Sequence, residues 1–102
     1  MLIKRSGALV QKEIQVEIKD EIQDDYHLQD PRELVVFNDD FNTFDHVISI
    51  LVKVCRHTLE QAEQCTWIIH YRGKCTVRQG TFSELKPMRD SICEAGIDAR
   101  IV

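Results

Sequence analysis

Asn38, Asp39 and Asp40 set one amide and two carboxylates side by side. Acceptor groups with negative charge are what an ammonium cation needs, because it brings only donors. Asn and Asp also favour turns and helix caps for backbone reasons, so the same triplet reads as an ordinary polar turn. As a carboxylate pair it would support acid and base catalysis only with raised pKa values and a substrate cleft. His70 follows Ile68 and Ile69 at the end of an apolar-faced segment. It fits a helix-end cation, a surface residue or a hydrogen-bonding group in a site. Cys55 with His57, and Cys75 with His70, do not match zinc-ligand spacing, and Cys55, Cys65, Cys75 and Cys93 contain no C-x-x-C pair. No metal and no other cofactor is expected. Cys55 and Cys65 fall on apolar faces, as core cysteines do, with no neighbouring base to make either a nucleophile.

The elements that would position these groups follow from periodicity. Leu34 to Phe37 is a short apolar run stopped by the acidic triplet, which predicts a buried strand ending in a polar turn. Phe44, Val47, Ile48, Leu51, Val54 and Cys55 recur at helical spacing, with Asn42 or Thr43 as the cap. Thr58 with Gln61 three positions on is a capping-box pattern, and Ala62, Cys65, Thr66 and Ile69 share one face of the helix it opens. By pattern alone Phe44, Val47, Thr66 and Ile69 belong to the core. Gly73 fits the C-terminal cap of that helix, and Lys74 to Gln79 reads as a second strand. Ser83 suits the cap of a third helix, with Pro87 near its tolerant first turn and Gly96 as its stop, and Ile97 to Val102 supplies a last strand. The order β-α-α-β-α-β predicts a two-layer α/β (α+β) domain in which a three-stranded antiparallel sheet packs on three helices.

The 102 residues leave room for one such domain, expected over residues 34–102. Residues 1–33 are crowded with acidic side chains and lack a helical stripe, which predicts a flexible acidic arm. Within it Ile14, Val16 and Ile18 alternate with polar residues and could form an edge strand. The net charge of -4, from 13 Lys+Arg against 17 Asp+Glu, offers no basic face for a phosphate backbone, so nucleic acid is not an expected partner. Nothing approaches the roughly 20 apolar residues of a membrane span. With no secretory leader in view, reduced thiols and a cytoplasmic location are expected. A monomer is the default for one small domain.

From Leu34 onward the chain resembles the ClpS family of adaptors for ATP-dependent Clp proteases. The residues that carry the resemblance are Val35 through Phe44, reading V-V-F-N-D-D-F-N-T-F, the helix segment Val47 to Leu51, and Gln61 to Gln64 running on to Ile69-His70-Tyr71-Arg72-Gly73-Lys74. The family pattern is an aromatic-flanked N-D-D turn followed about thirty residues later by H-Y-x-G-K, and both halves stand here in the family's order. Two departures are visible. Asn42-Thr43 stands where the family commonly has Thr-Pro, and the segment after Lys74 drifts, its last helix lacking the family's Ala-Glu-Thr-Lys.

The resemblance implies an adaptor rather than an enzyme. It would bind N-degrons, polypeptides with a free α-amino group and Leu, Phe, Tyr or Trp as first residue, and deliver them to a hexameric Clp-type AAA+ unfoldase. Carried over by position, Asn38, Asp39, Asp40 and His70 would hydrogen-bond the α-amino group, the histidine through an acceptor nitrogen of its neutral ring. Phe44, Val47, Thr66 and Ile69 would line the side-chain pocket, and the arm would take part in delivery. The alternative within the same resemblance is a regulator of the chaperone ATPase without degron selectivity. An enzyme built on Asp39 or Asp40 with His70 lacks a nucleophile, a metal-ligand set and a phosphate loop.

Overall fold

Leu34, Val35 and Val36 are all buried, so the first strand is covered on both faces, and the rest of the fold is arranged around it. This is a computed structural model that describes residues 29–102. Residues 1–28 of the expected arm, with the alternating Ile14, Val16 and Ile18, lie outside the described residues. In chain order the elements are β1 (Arg32–Phe37), α1 (Phe44–Cys55), α2 (Leu59–Arg72), β2 (Lys74–Gly80), α3 (Phe82–Glu94) and β3 (Ala99–Ile101). The sheet is antiparallel in the order β2-β1-β3, and its three helices make the expected α+β fold. The first strand starts two residues before the apolar run, because Arg32 and Glu33 pair with Gly80 and Gln79 although neither is apolar. A register shift between Leu34 and Val35 leaves Val77 as an extra residue in β2.

Leu34 and Val36 share one face of β1 and enter the core with Val47, Leu51 and Cys55 of α1, Ala62 and Ile69 of α2, and Leu85 and Ile92 of α3. On the opposite face the Arg100 guanidinium lies over the Phe37 ring at 4.7 Å, and Thr76 donates its hydroxyl to Glu33 at 2.8 Å. The link between α1 and α2 is held to β2 by two polar contacts. His57 Nε2 donates to the Val77 carbonyl at 2.7 Å, and Arg78 donates to the Cys55 carbonyl at 2.7 Å.

The helix starts are set by side-chain caps. Of the two candidates for α1, Thr43 is the cap, its hydroxyl accepting from the His46 N–H. Thr58 and Gln61 form the expected capping box on α2, and Gly73 ends that helix at φ 93. The third helix departs from expectation: it begins at Phe82, capped by Thr81 and not by Ser83. Thr81 has Glu84 three residues on and completes a capping box, whereas Ser83 has Lys86 there, which has nothing to accept with. Pro87 consequently lies inside the helix, beyond the first turn. The last strand is also shorter than Ile97 to Val102, because Ile97 is taken by the helix-end turn, its N–H reaching the Ile92 carbonyl at 3.2 Å. Among the described residues no helix is long and apolar enough to cross a membrane.

Candidate functional site

The chain leaves β1 at Phe37 and enters α1 at Phe44, and the intervening loop faces the C-terminal end of α2. The contact that brings them together is a main-chain bond from the Asn38 N–H to the Gly73 carbonyl at 2.8 Å. A pocket of about 340 Å³ opens between loop and helices. It is lined by Asn38, Asp39, Asp40 and His70, and also by Phe44, Val47, Thr66 and Ile69. All eight residues singled out from the sequence thus face one cavity, the polar set from loop and helix end, the apolar set from α1 and α2. Its size is at the small end for ligand sites and suits one side chain better than a large cofactor.

Asp39 is the organiser of the loop. Its Oδ1 accepts from the N–H groups of Phe41 and Asn42 at 2.7 and 2.8 Å, and its Oδ2 from the Asn42 amide at 2.6 Å. The Asn42 backbone N–H, and with it the Asn42 amide and the Phe41 N–H, outweigh the loss of hydration and hold the Asp39 carboxyl below its ordinary value of 3.8. The group therefore stays anionic in mild acid. Asp40 differs: it is exposed and accepts no hydrogen bond among the described residues. Two neighbouring carboxylates are thereby divided, one bound into the loop and one open to solvent.

The buried Thr66 sends its hydroxyl proton to the Ala62 carbonyl at 2.7 Å, so it offers the pocket no donor. Val47 and Ile69 are also buried and complete an apolar floor. Phe44 stands at the first position of α1, its ring edge-on to His70 at 5.2 Å and to Trp67 at 4.8 Å. His70 is exposed.

Two residues matter here that sequence reasoning did not place in the site. Asn42 lines the pocket, and its side-chain amide donates to Asp39 and to the Gly96 carbonyl, the latter at 2.9 Å. His46, a turn into α1, donates from Nε2 to the Ala95 carbonyl at 2.9 Å. Both tie the loop to the turn after α3. The Asn42-Thr43 pair that departs from the Thr-Pro pattern is thus itself a fastening, with an amide bridge at one residue and a helix cap at the next. Asp39 with Asn42 three residues on was a legible local signal; the partners at Ala95 and Gly96 are too far away in sequence to be read.

No group of three or more His, Cys, Asp or Glu among the described residues is arranged to hold a metal ion. The lining residues instead offer acceptors and anionic charge beside an apolar floor. That combination suits a small ligand with a cationic head and an apolar side chain.

Comparison with known proteins gives the same direction. A family model described as ATP-dependent Clp protease adaptor protein ClpS matches residues 24–98. The chain is 34% identical over 65 residues to the ATP-dependent Clp protease adapter protein ClpS of Thermosynechococcus vestitus, covering 63% of this chain and 69% of that protein. It is 36% identical over 67 residues to the protein of the same name from Nitratidesulfovibrio vulgaris strain DP4, covering 64% of each. Among solved structures, Agrobacterium tumefaciens ClpS2 bound to L-phenylalaninamide shares the fold at a TM-score of 0.62 and 18% identity, covering 74% of this chain and 96% of that one.

Proposed function

From the premise that this chain belongs to the ClpS family of ATP-dependent Clp protease adaptors, we propose that it binds polypeptides by a free α-amino group and a Leu, Phe, Tyr or Trp first residue. It then presents them to a Clp-type AAA+ unfoldase, a hexamer in this reading, for degradation. The observation that carries the reading is the single pocket in which Asn38, Asp39, Asp40 and His70 meet Phe44, Val47, Thr66 and Ile69. A protonated amine has three donors, and an amide oxygen, a carboxylate and an imidazole nitrogen are three acceptors of suitable kind. The ligand of the Agrobacterium protein, L-phenylalaninamide, has the two features in question, a free amine and a benzyl side chain.

Magnitudes explain why both features are needed. Burying a Leu or Phe side chain contributes about 1.5 to 3 kcal/mol. An absent amine leaves desolvated acceptors unpaired at a cost of about 1 to 3 kcal/mol each. An internal Phe has the bulk without the amine, and an amino-terminal Ala has the amine without the bulk, so neither competes. The chain works in this reading as a cytoplasmic monomer without catalysis and without a cofactor. Residues 1–33 are proposed to serve delivery; because Arg32 and Glu33 pair within β1, it is deletion of residues 1–28 that should spare peptide affinity and abolish degradation.

The test is fluorescence anisotropy with labelled peptides beginning with Leu, Phe, Ala or acetylated Phe, using the full chain and its His70→Ala and Asp39→Ala variants. Binding of Leu and Phe that vanishes on acetylation and weakens in both variants is expected. Equal or absent binding across the four peptides would remove the degron reading and favour a regulator of the ATPase.

A further inference from the structure

Behind the pocket, two half-buried thiols meet between α2 and β2. Cys75 stands opposite Val36 in the sheet register, and Val36 faces the core, so the Cys75 side chain is turned under the helices. Cys65 comes from the other side, on the α2 face that carries the buried Ala62 and Ile69. Both cysteines pack against the core, and the Cys75 thiol is hydrogen-bonded to Cys65. Neither lines the pocket, and the proposed peptide binding uses neither. Between them in the chain lie Thr66, Ile69 and His70, which form the α2 wall of the pocket, and Gly73, which caps the helix.

We propose that Cys65 and Cys75 are a redox-modification site, a dithiol that a small disulfide of the glutathione class converts into an internal disulfide joining α2 to β2. The inference is independent of the amino-terminal reading. In the first step the Cys65 thiolate attacks one sulfur of the reagent, forming a mixed disulfide and releasing one reagent thiol with the proton that Cys65 has lost. In the second step the Cys75 sulfur attacks Cys65. The Sγ–Sγ bond forms, and a second reagent thiol leaves with the Cys75 proton. Two electrons pass from the cysteines to the reagent, which ends as two thiols. The order of attack follows from the surroundings. Burial first, and then the charge and hydrogen bond of Cys65, push Cys75 up to about 12, so it is a poor opening nucleophile. Capping Cys65 removes the last two of these causes and leaves the mixed disulfide beside Cys75. Cys55, by contrast, is fully buried and meets no reagent.

The experiment uses the full chain with Cys93→Ser, which removes the exposed thiol. It is equilibrated in glutathione buffers of graded disulfide-to-thiol ratio, once folded and once unfolded in urea. After acid quenching and alkylation, mass spectrometry of unreduced peptides measures the linkage between Cys65 and Cys75. The folded chain should reach half oxidation in a buffer about tenfold less oxidising than the unfolded chain needs, because the fold already holds the two sulfurs together. A folded chain that resists the linkage more than the unfolded one would overturn the assignment. Cys55 joined to Cys65, or glutathione adducts that never resolve into an internal bond, would overturn it as well.

Discussion

The Asn38 N–H donates to the Gly73 carbonyl at 2.8 Å, so the residue that opens the acidic loop is fastened to the residue that closes α2. Gly73 also donates its own N–H to the Ile69 carbonyl at 2.9 Å. One residue therefore caps the helix that carries His70 and holds the loop that carries the carboxylates. The spacing between the two polar walls of the pocket is set by main chain and does not depend on flexible side chains.

Gly73→Ala should expose that dependence. Gly73 lies at φ +93, and a Cβ placed there meets nothing within 4 Å, so the cost is one of backbone conformation and not of collision. A left-handed non-glycine residue costs about 1 to 2 kcal/mol, which for a domain of this size lowers the melting temperature by about 4 to 8 °C per kcal/mol. Affinity for a Leu-initiated peptide should fall with it. A melting temperature equal to that of the unaltered chain would show that the cap tolerates a side chain and that the loop is held elsewhere.

Asp39 and Asp40 are expected to separate in stability and to agree in binding. Asp39→Ala removes the acceptor for three donors, and a cost of about 1 to 2 kcal/mol is expected after allowing for solvent competition. Asp40→Ala should stay within about 0.5 kcal/mol of the parent. Because the folded-state pKa of Asp39 is depressed, its contribution is fully present above its ordinary value of 3.8 and is lost as pH falls through the lower folded value. Urea unfolding between pH 2 and 6 should therefore show a smaller acid loss in Asp39→Ala than in the parent. Identical acid limbs would assign the sensitivity to other carboxylates such as Asp90, lowered chiefly by its hydrogen bond from Lys86.

The features legible in the sequence were those encoded within a few residues of one another. Thr58 with Gln61 announced its capping box, Gly73 its helix end, and the spacing of Val47, Leu51 and Cys55 the buried stripe of α1. Ser83 was misread because its neighbour Thr81 had the better-spaced partner, and the start of β1 because Arg32 and Glu33 enter the sheet by backbone pairing without apolar side chains. The site divides the same way. Phe44, Val47, Thr66 and Ile69 look like core by period, and only the resemblance assigned them to a pocket wall. The bridge from Asn42 to Gly96 and the edge-on contact of Trp67 with Phe44 depend on packing between elements, which no local pattern records.

Pro87 points to a stabilising substitution. In a helix beginning at Phe82 it lies past the first turn, so the Ser83 carbonyl lacks its usual donor. Pro87→Ala supplies that N–H and relieves the ring's clash, and should raise stability by about 1 to 3 kcal/mol. The residue is exposed, so nothing in the core opposes the change. Lower stability in thermal melts would mean that the proline fixes a bend on which the packing of Leu85 and Ile92 relies.

The thiols should rank by their surroundings. Loss of hydration raises Cys55 to about 11 and, together with the adjacent Cys65, Cys75 to about 12, so neither supplies much thiolate at neutral pH. Cys55 is fully buried, whereas Cys93 is exposed. Brief treatment with iodoacetamide, followed by mass spectrometry of the peptides, should find Cys93 modified first and Cys55 last. The same shift has a consequence in alkali. Above the ordinary value of 9.0 an unfolded Cys55 ionises while the folded one keeps its proton to about 11, so the stability it contributes is present below pH 9 and drains away across that interval. Replacing Cys55 with Val, close in size and without a proton to lose, should flatten the alkaline limb of the unfolding curve while leaving the neutral region nearly unchanged. Early alkylation of Cys55 at neutral pH would mean instead that α1 opens locally, since no thiolate could be reached with the helix closed.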